Sequence, residues 1–195
     1  GYTAINPGAG IPRSMPWSIL NAQGWSILVA HQQSMDFVFD RTAEGRVLKC
    51  LTIVDDATHE AVAVEVERAI SGNGVVRVLD RLALHRGLPQ VIRSDNGKEF
   101  CGKSMVKWGH ARGVALRLIE PGKPNQNAYI ESFNGRLRDE CLNEHWFQNV
   151  LHARAVIETW RREYNEERPK KALGGLTPAA YAKRMAEIGY PNLGF

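Results

Sequence analysis

The chain has 195 residues, of which 44% are hydrophobic, and a formal net charge of +4. This length fits one domain of ordinary size, and the apolar fraction is high enough to exclude a wholly disordered chain. The mild basic excess is compatible with a nucleic-acid partner, although solubility alone would explain it. Three distant cysteines without a CxxC pair indicate neither a zinc ribbon nor a disulfide framework. No apolar stretch approaches the ~20 residues of a membrane span, so no membrane association is expected.

Residues 1–33 differ in composition from the rest of the chain. They are rich in Gly, Pro and Trp, and their only charged side chain is Arg13. Since no hydrophobic period is visible, we predict an irregular N-terminal arm. Trp17 and Trp25 are candidates to dock this arm on the core or on a partner.

From Ser34 onward the pattern predicts an α/β fold. The runs SMDFVFD, RVLKCLTIVDD and HEAVAVEVE are joined by short polar turns, which favours an antiparallel meander of three strands. A helix capped by Ser71 and ended by Gly87 follows. The next strand, QVIRSD, should pair in parallel with an earlier one, because a helix precedes it. A second helix, KSMVKWGHARG, then leads to a fifth strand, VALRLIE.

After the polar loop PGKPNQN the chain becomes helical. A long amphipathic helix is predicted from a buried stripe made of Ile130, Phe133, Leu137 and Cys141. The segment LHARAVIETWRREYNEE gives another amphipathic helix, which ends before Pro169. A short last helix is expected after Thr177, which would cap it.

Three acidic residues fall at special places in this plan. Asp36 lies inside the first strand, where a half-buried carboxylate is costly unless a partner meets it. Asp95 ends the fourth strand, directly before Asn-Gly, and would lie beside Asp36 if those two strands are parallel neighbours. Glu131 lies near the start of the long helix, with 35 residues between it and Asp95. These three carboxylates are therefore predicted to converge at one end of the sheet.

Converging carboxylates repel one another unless a cation compensates them. Mg²⁺ and Mn²⁺ prefer such oxygen ligands, and two ions ~4 Å apart can activate a nucleophile and stabilise a leaving oxygen at a phosphate. Alone, Asp95 before Asn-Gly is an ordinary turn residue. Spacing also leaves open four other acids near strand ends, and only the inferred topology favours Asp36 and Asp95 over them. These alternatives are Asp55, Asp56, Glu99 and Glu120.

The segments SMDF, VIRSDNGKEF and PGKPNQNAYIESFNGRLRDECLNEHWF resemble the catalytic core of DDE transposases of bacterial insertion sequences. The resemblance is to the insertion-sequence-three group, with overlapping orfA and orfB frames, and more distantly to retroviral integrases. It implies a ribonuclease-H-like fold with a five-stranded mixed sheet in the order 3-2-1-4-5. It also implies metal-dependent DNA cleavage and strand transfer at insertion-sequence ends. Asp36, Asp95 and Glu131 would be the catalytic metal ligands for two Mg²⁺ or Mn²⁺ ions with DNA bound.

The same resemblance implies a domain division and partners. Residues 34–168 would form the integrase catalytic core and residues 169–195 a C-terminal extension. DNA of the transposon ends and target is the expected partner, with a homo-oligomer on DNA. An orfA-type helix-turn-helix protein or fused segment would supply end recognition, and the location would be the bacterial cytoplasm, at the nucleoid. A nuclease of the same fold, or a catalytically silent DNA-binding remnant, is the alternative.

Several polar residues near Glu131 are candidates for phosphate contacts, because backbone N–H groups at a helix start suit phosphates. A plain polar loop, and a surface pair of Arg138 with Glu131 or Glu144, are the alternatives. Trp108, Trp146 and Trp160 are predicted to pack in the core rather than to stack on bases. The residues predicted to contact DNA are Asn96, Lys123, Asn125, Asn127, Asn134 and Arg138.

Overall fold

The computed structural model describes residues 32–120 and 127–187, together with the backbone of two short strands. These are Ile19–Leu20 (β1) and Ser26–Ile27 (β2), which pair antiparallel. Part of the predicted irregular arm therefore forms a small ladder. The division of the chain into arm, core and extension stays a prediction.

Four residues singled out in the sequence lie outside the described part of the chain: Trp17, Trp25, Lys123 and Asn125. The first strand of the main sheet begins at Gln32, slightly before the predicted start at Ser34. Its two additional residues pair with Val91 and Ile92, so the strand is extended by its parallel neighbour.

The main sheet has five strands, three antiparallel and two added in parallel. The meander consists of Gln32–Arg41 (β3), Val47–Asp55 (β4) and Ala61–Glu67 (β5). Val91–Ser94 (β6) pairs in parallel with β3, and Ala115–Leu118 (β7) pairs in parallel with β6. The order β5-β4-β3-β6-β7 is the predicted 3-2-1-4-5 order counted from β3, and it confirms the expected fold class.

Six α-helices surround this sheet in the described residues, and a π-helix, Arg138–Leu142, directly continues the fourth. The α-helices are Gly72–Arg86 (α1), Lys98–Cys101 (α2), Lys103–Arg112 (α3), Ala128–Leu137 (α4), Val150–Glu166 (α5) and Pro178–Glu187 (α6). The predicted cap of α1 is confirmed, since Ser71 Oγ accepts from the N–H of Gly74 at 3.3 Å. No helix in these ranges is long and apolar enough to cross a membrane.

The sheet buries both of its faces, which explains why all of β4 except its first residue is buried. Alternate residues of a strand point to opposite faces, so Met35 packs with α1 and α3, and Val38 packs with α4 and α5. The predicted helical stripe is confirmed by the buried side chains Ile130, Phe133, Leu137 and Cys141. Asp36 has the parity of Val38 and therefore lies on the α4 side of the sheet.

The tryptophan predictions are confirmed for two positions and wrong for one. Trp108 and Trp160 are buried, whereas 82% of Trp146 is exposed. Trp146 lies between the π-helix and α5, where no helical face directs it into the core. The three cysteines are free thiols, as expected, with Cys50 and Cys141 buried and Cys101 exposed.

A buried amide joins α5 to the sheet. The N–H of Ala61 donates to Asn165 Oδ1 at 2.8 Å, and Asn165 Nδ2 donates to the carbonyl of Ala61 at 3.0 Å. The β4–β5 register shifts between Ile53 and Val54, the residue opposite Ala61. Asn165 thus supplies hydrogen bonds at the irregular end of this ladder.

We expect Asn165→Ala to lower the free energy of unfolding by about 2–4 kcal/mol, because buried polar groups of Ala61 lose their amide partner. Urea unfolding followed by circular dichroism measures the change. Asn143→Ala, at an exposed position, is the matched control and should change stability by less than ~0.5 kcal/mol. Equal effects of the two substitutions would contradict the role of Asn165.

Candidate active site

Asp36 is half-buried on β3 and receives two hydrogen bonds. Its Oδ1 accepts from the N–H of Phe37 at 2.7 Å, and its Oδ2 accepts from Asn134 Nδ2, on α4, at 2.8 Å. The predicted cost of this strand carboxylate is therefore met in part by a neutral amide from the facing helix. Asn134 Oδ1 is itself buried, with no hydrogen-bond partner among the described residues.

Asp95 follows β6 directly and is exposed in a tight turn. Its Oδ1 accepts from the N–H of Gly97 at 2.9 Å, which is the local bond of an Asx-turn. A Cβ added to Gly97 would lie 2.9 Å from that same oxygen, so a larger residue would displace the carboxylate. Because Met35 pairs with Ser94, Asp36 lies within β3 beside the C-terminal end of β6, where Asp95 follows.

Glu131 lies in the first turn of α4 and is exposed. Its neighbours Ile130 and Phe133 are buried against the sheet and fix the rotation of the helix. The N–H of Glu131 donates to the carbonyl of Asn127 at 3.1 Å, so the residue lies within the ordered helical start. The carboxylate of Glu131 is close enough to Asp36 to act on it electrostatically.

Electrostatics connects the three acids. The pKa of Asp36 is raised above its ordinary value mainly by burial, and the nearby carboxylates of Asp95 and Glu131 raise it further. The hydrogen bonds from Phe37 and Asn134 act in the opposite direction, because they stabilise the charged carboxylate. The carboxylates of Asp95 and Glu131 thus both disfavour the charged form of Asp36.

The three carboxylates offer oxygen ligands only, which is the donor chemistry that Mg²⁺ and Mn²⁺ prefer. Within residues 32–120 and 127–187, no group of three His, Cys, Asp or Glu side chains is arranged to hold a metal ion, so the structure does not bring Asp36, Asp95 and Glu131 together as a formed metal site. The carboxylate oxygens of Asp36, Asp95 and Glu131 are suitable ligands for a divalent cation, which would also reduce the repulsion of Asp36 by the other two. The predicted role of Asp36, Asp95 and Glu131 as metal ligands stays a prediction.

The other acids near strand ends have structural partners. Asp55 Oδ1 accepts from the N–H groups of Ala57 and Thr58, which closes the turn between β4 and β5. Asp56 Oδ1 accepts from Ser34 Oγ at 2.8 Å. The hydrogen bonds of Asp55 and Asp56 favour turn and strand roles for them.

Three of the residues predicted to contact DNA, Asn96, Asn134 and Arg138, donate to protein groups, whereas the buried Oδ1 of Asn127 has no hydrogen-bond partner among the described residues. Asn96 Nδ2 donates to the carbonyl of Ile119 at 3.3 Å, which ties the Asp95 turn to the end of β7. Arg138 donates to the carbonyl of Phe39 at 3.0 Å rather than pairing with Glu131 or Glu144. Asn134 points to Asp36, as described above, and Asn127 is buried. Their contacts with DNA stay predictions.

A cluster of aromatic and basic residues fixes the start of α4. The Tyr129 ring stacks on His59 with centroids 4.3 Å apart, and its hydroxyl donates to the carbonyl of His59 at 3.0 Å. Lys170 Nζ donates to the hydroxyls of Tyr129 and Tyr164. Tyr129 precedes Glu131 by two residues, so this cluster contributes to the position of the acidic helix start.

Two family models with the description "Integrase core domain" match this chain, one over residues 29–124 and the other over residues 112–178. Together they include Asp36, Asp95 and Glu131. The chain belongs to the integrase core family.

Curated relatives of this integrase core come from bacterial insertion elements. The uncharacterized 31.7 kDa protein of insertion element IS407 of Burkholderia multivorans is 56% identical over 151 residues, 77% of this chain and 54% of that protein. The 39.2 kDa protein of IS476 of Xanthomonas euvesicatoria is 54% identical over 149 residues, 76% of this chain and 43% of that protein. A transposase-like protein of Haemophilus influenzae is 26% identical over 142 residues, 72% of this chain and 65% of that protein. The chain spans about half the length of the first two relatives.

Solved structures with the same fold are retroviral integrases. The catalytic core of HTLV-2 integrase, in a trimeric form with magnesium, has a TM-score of 0.60 and 15% identity, covering 78% of this chain and 95% of that one. The core of BIV integrase has a TM-score of 0.60 and 16% identity, covering 83% and 99%. A chain of the simian T-cell lymphotropic virus intasome has a TM-score of 0.68 and 15% identity, covering 90% and 60%. These similarities establish the ribonuclease-H-like fold.

The Asn134 bond gives a prediction for the acidic site. Asn134→Ala should raise the pKa of Asp36 further, because the substitution removes a donor that stabilises the charged carboxylate. Carbon-detected NMR titration of the Asp36 carboxyl, without divalent cations, measures this change. Asn143→Ala is again the control and should leave the titration unaltered, whereas an unchanged Asp36 titration in Asn134→Ala would contradict the assigned bond.

Lys170 gives a prediction for pH-dependent stability. Burial, together with Arg136 and Arg168, lowers the pKa of Lys170 from 10.5 to about 8. Since the folded pKa is depressed, protonated Lys170 opposes folding below pH 8, and this penalty disappears as the pH rises from 8 towards 10.5. As the pH rises from 8 to 10.5, the wild type should therefore become more stable relative to Lys170→Met, which also lacks the hydrogen bonds of Nζ to Tyr129 and Tyr164 at every pH.

Urea unfolding of the Lys170→Met variant and the wild type between pH 6 and 10.5 measures this difference. Lys171→Met, at the exposed neighbouring position, is the control and should show no such pH dependence. A stability difference that stays constant across the range would show that the pKa of Lys170 is not lowered in the folded protein.

Proposed function

We propose that this integrase core catalyses metal-dependent cleavage and strand transfer of DNA at the ends of an insertion element. The observation that carries the proposal is the parallel pairing of Met35 with Ser94, which places Asp36 on β3 beside Asp95 at the end of β6 in an integrase-core fold. Insertion-element proteins among the relatives support DNA as the substrate. The chain's resemblance to DDE transposases supports the transfer chemistry.

Asp36, Asp95 and Glu131 are the residues that would hold two divalent ions with DNA bound. Such ions supply nucleophile activation and charge stabilisation at the phosphate. Asp36 is positioned for this role by Asn134 and by its strand, and Asp95 by the bond from Gly97. The site thus combines a half-buried ligand on a strand with two exposed ones on a turn and a helix.

The proposed reaction has two steps of phosphoryl transfer. Water attacks a phosphodiester at the element end, its P–O bond to the 3′ oxygen breaks, and a 3′-hydroxyl is released. That hydroxyl then attacks a target phosphodiester, forms a new P–O bond and releases the target's own 3′ oxygen. Each step exchanges one P–O bond for another directly, so no covalent enzyme intermediate is needed.

We infer that DNA passes along the start of α4. The net charge of +4 is compatible with this partner, and all the residues predicted to contact DNA except Asn96 lie within eight positions of Glu131 in the sequence. These predicted contacts are Asn96, Lys123, Asn125, Asn127, Asn134 and Arg138. For Asn134 the bond to Asp36 favours a positioning role, which a contact with DNA would have to displace.

The proposal extends to partners and location. Two element ends must be brought together for transposition, so we expect a homo-oligomer on DNA. The resemblance to the insertion-sequence-three group supports an orfA-type helix-turn-helix protein or fused segment that would recognise the ends. Residues 34–168 would act as the catalytic core, in the bacterial cytoplasm at the nucleoid.

Asp95→Asn should reduce DNA cleavage by ~100-fold or more, since it removes a ligand charge that acts on the transition state. The assay uses labelled duplexes carrying the element ends, with Mg²⁺ and with a helix-turn-helix segment of the same element supplied. Asp139→Asn, at an exposed position after α4, is the matched control and should retain activity.

The products of this assay distinguish the alternatives. Joined strands support strand transfer, whereas cleaved strands without joining would replace it with a nuclease of the same fold. Equal products from the wild type and Asp95→Asn, or no metal-dependent product at all, would contradict the enzymatic function.

A further inference from the structure

A buried lysine lies on the face of the sheet opposite Asp36. Lys49, on β4, is 8% exposed as a residue, and its Nζ donates to Glu99 Oε1, on α2, at 2.6 Å. Nζ also donates to the carbonyl of Ile70 at 3.2 Å, directly before α1. The exposed fractions of the two charged side chains are 11% for Lys49 and 19% for Glu99. One ammonium group therefore joins β4, α2 and the start of α1.

Aromatic rings connect this ion pair to both aspartate segments. Lys49 Nζ lies 3.9 Å from the ring centroid of Phe37, which follows Asp36 in the chain. The Phe37 ring stacks on Phe100 with centroids 4.7 Å apart. The N–H of Phe100 donates to the carbonyl of Gly97 at 2.8 Å. The lysine thus contacts the back of the strand that carries Asp36 and the helix that follows the Asp95 turn.

Glu99 is an additional carboxylate beside the Asp95 turn. A Cβ built on Gly97 would lie 2.9 Å from Asp95 Oδ1 and 3.7 Å from Glu99 Oε2, so both oxygens flank the same glycine. The hydrogen bond from Lys49 is the main cause of the lowered pKa of Glu99, which keeps this group charged and paired. Without Lys49, a further negative charge would act on Asp95.

Two partly desolvated charges are an expensive way to gain stability alone. Apolar replacements of a buried ion pair are often neutral or stabilising, whereas loss of one partner leaves an uncompensated charge. The Lys49–Glu99 pair joins β4, α2 and the start of α1, so we expect it to fix the position of the Asp95 turn, which directly precedes α2. When Lys49 neutralises Glu99, Asp95 is, among the described residues, the only unpaired carboxylate of the two beside this turn.

We propose that Lys49 and Glu99 are positioning residues that hold the Asp95 turn and withhold the Glu99 carboxylate from the metal site. This inference rests on the proposed function for its metal dependence. Its effect on the turn is independent of catalysis. Neither residue touches the reacting atoms in this assignment, since each acts through the backbone of residues 95–101.

The first test is amide hydrogen exchange of the Asp95 turn in the isolated chain. Lys49→Met should increase exchange of the Gly97, Phe100 and Cys101 amides roughly tenfold, because their local bonds lose the brace of the ion pair. Exchange of the β4–β5 amides should change much less. Arg81→Met is the control, since it removes the more exposed ion pair of Arg81 with Glu65.

The second test is the Mg²⁺ concentration that gives half-maximal DNA cleavage. This concentration should rise roughly tenfold in Lys49→Met, where unpaired Glu99 competes with Asp95 for the cation. The double variant Lys49→Met/Glu99→Met also removes the competing carboxylate and should restore the Mg²⁺ requirement, while exchange of the turn should stay raised because the ion pair is still absent. A purely structural lysine would alter stability without this pattern of rescue.

Unchanged exchange of the turn in Lys49→Met, or an equal increase throughout the sheet, would overturn the proposal. Should Lys49→Met not fold, Glu99→Gln provides the same comparison with a smaller change in packing, and turn exchange equal to that of the wild type would be decisive against it. If the wild type cleaves no DNA, the proposed function fails. The exchange experiment then still decides the role of the ion pair.

Discussion

β3 and β6 pair in parallel with Met35 opposite Ser94, and this register decides where both aspartates lie. A slip of one residue would move Asp36 to the opposite face of the sheet, because side chains alternate along a strand. Asp36 would then face α1–α3 rather than α4, and Asn134 could not reach it. The β3–β6 register is therefore a precondition for the hydrogen bond between Asn134 and Asp36.

Adjacent residues of β3 make different contacts on the two faces of the sheet. Asp36 faces α4 and carries the negative charge of the site, while Phe37 faces the Lys49–Glu99 pair on the other side. Rigid packing on both faces fixes the strand between them, and the exposed Asp95 turn is held at its back by α2. The carboxylate of Asp36 is thus placed by the packing of apolar side chains on both faces of β3.

Local pattern was sufficient to predict the three-stranded meander, a parallel strand after the first helix and the buried stripe of α4, whereas the full strand order was implied by the family resemblance. These features depend on periodicity and on the rules for parallel connections. The pairing of Lys49 with Glu99 joins residues 50 positions apart and depends on packing that no local pattern encodes. Trp146 shows the same limit, since an apolar side chain after a helix has no period to direct it inward. Glu99 could be recognised only as one more acid near a strand end.

The raised pKa of Asp36 links the architecture to the proposed chemistry. An acid whose folded pKa lies above its unfolded value opposes folding once it is charged, so this site reduces stability at neutral pH. A bound cation would relieve that repulsion, and its binding free energy would then appear partly as stability of the fold. Hydrogen bonds from Phe37 and Asn134 reduce the cost without removing it. The same negative charge that lowers the stability of the fold at neutral pH would, in the proposed function, bind the divalent cations.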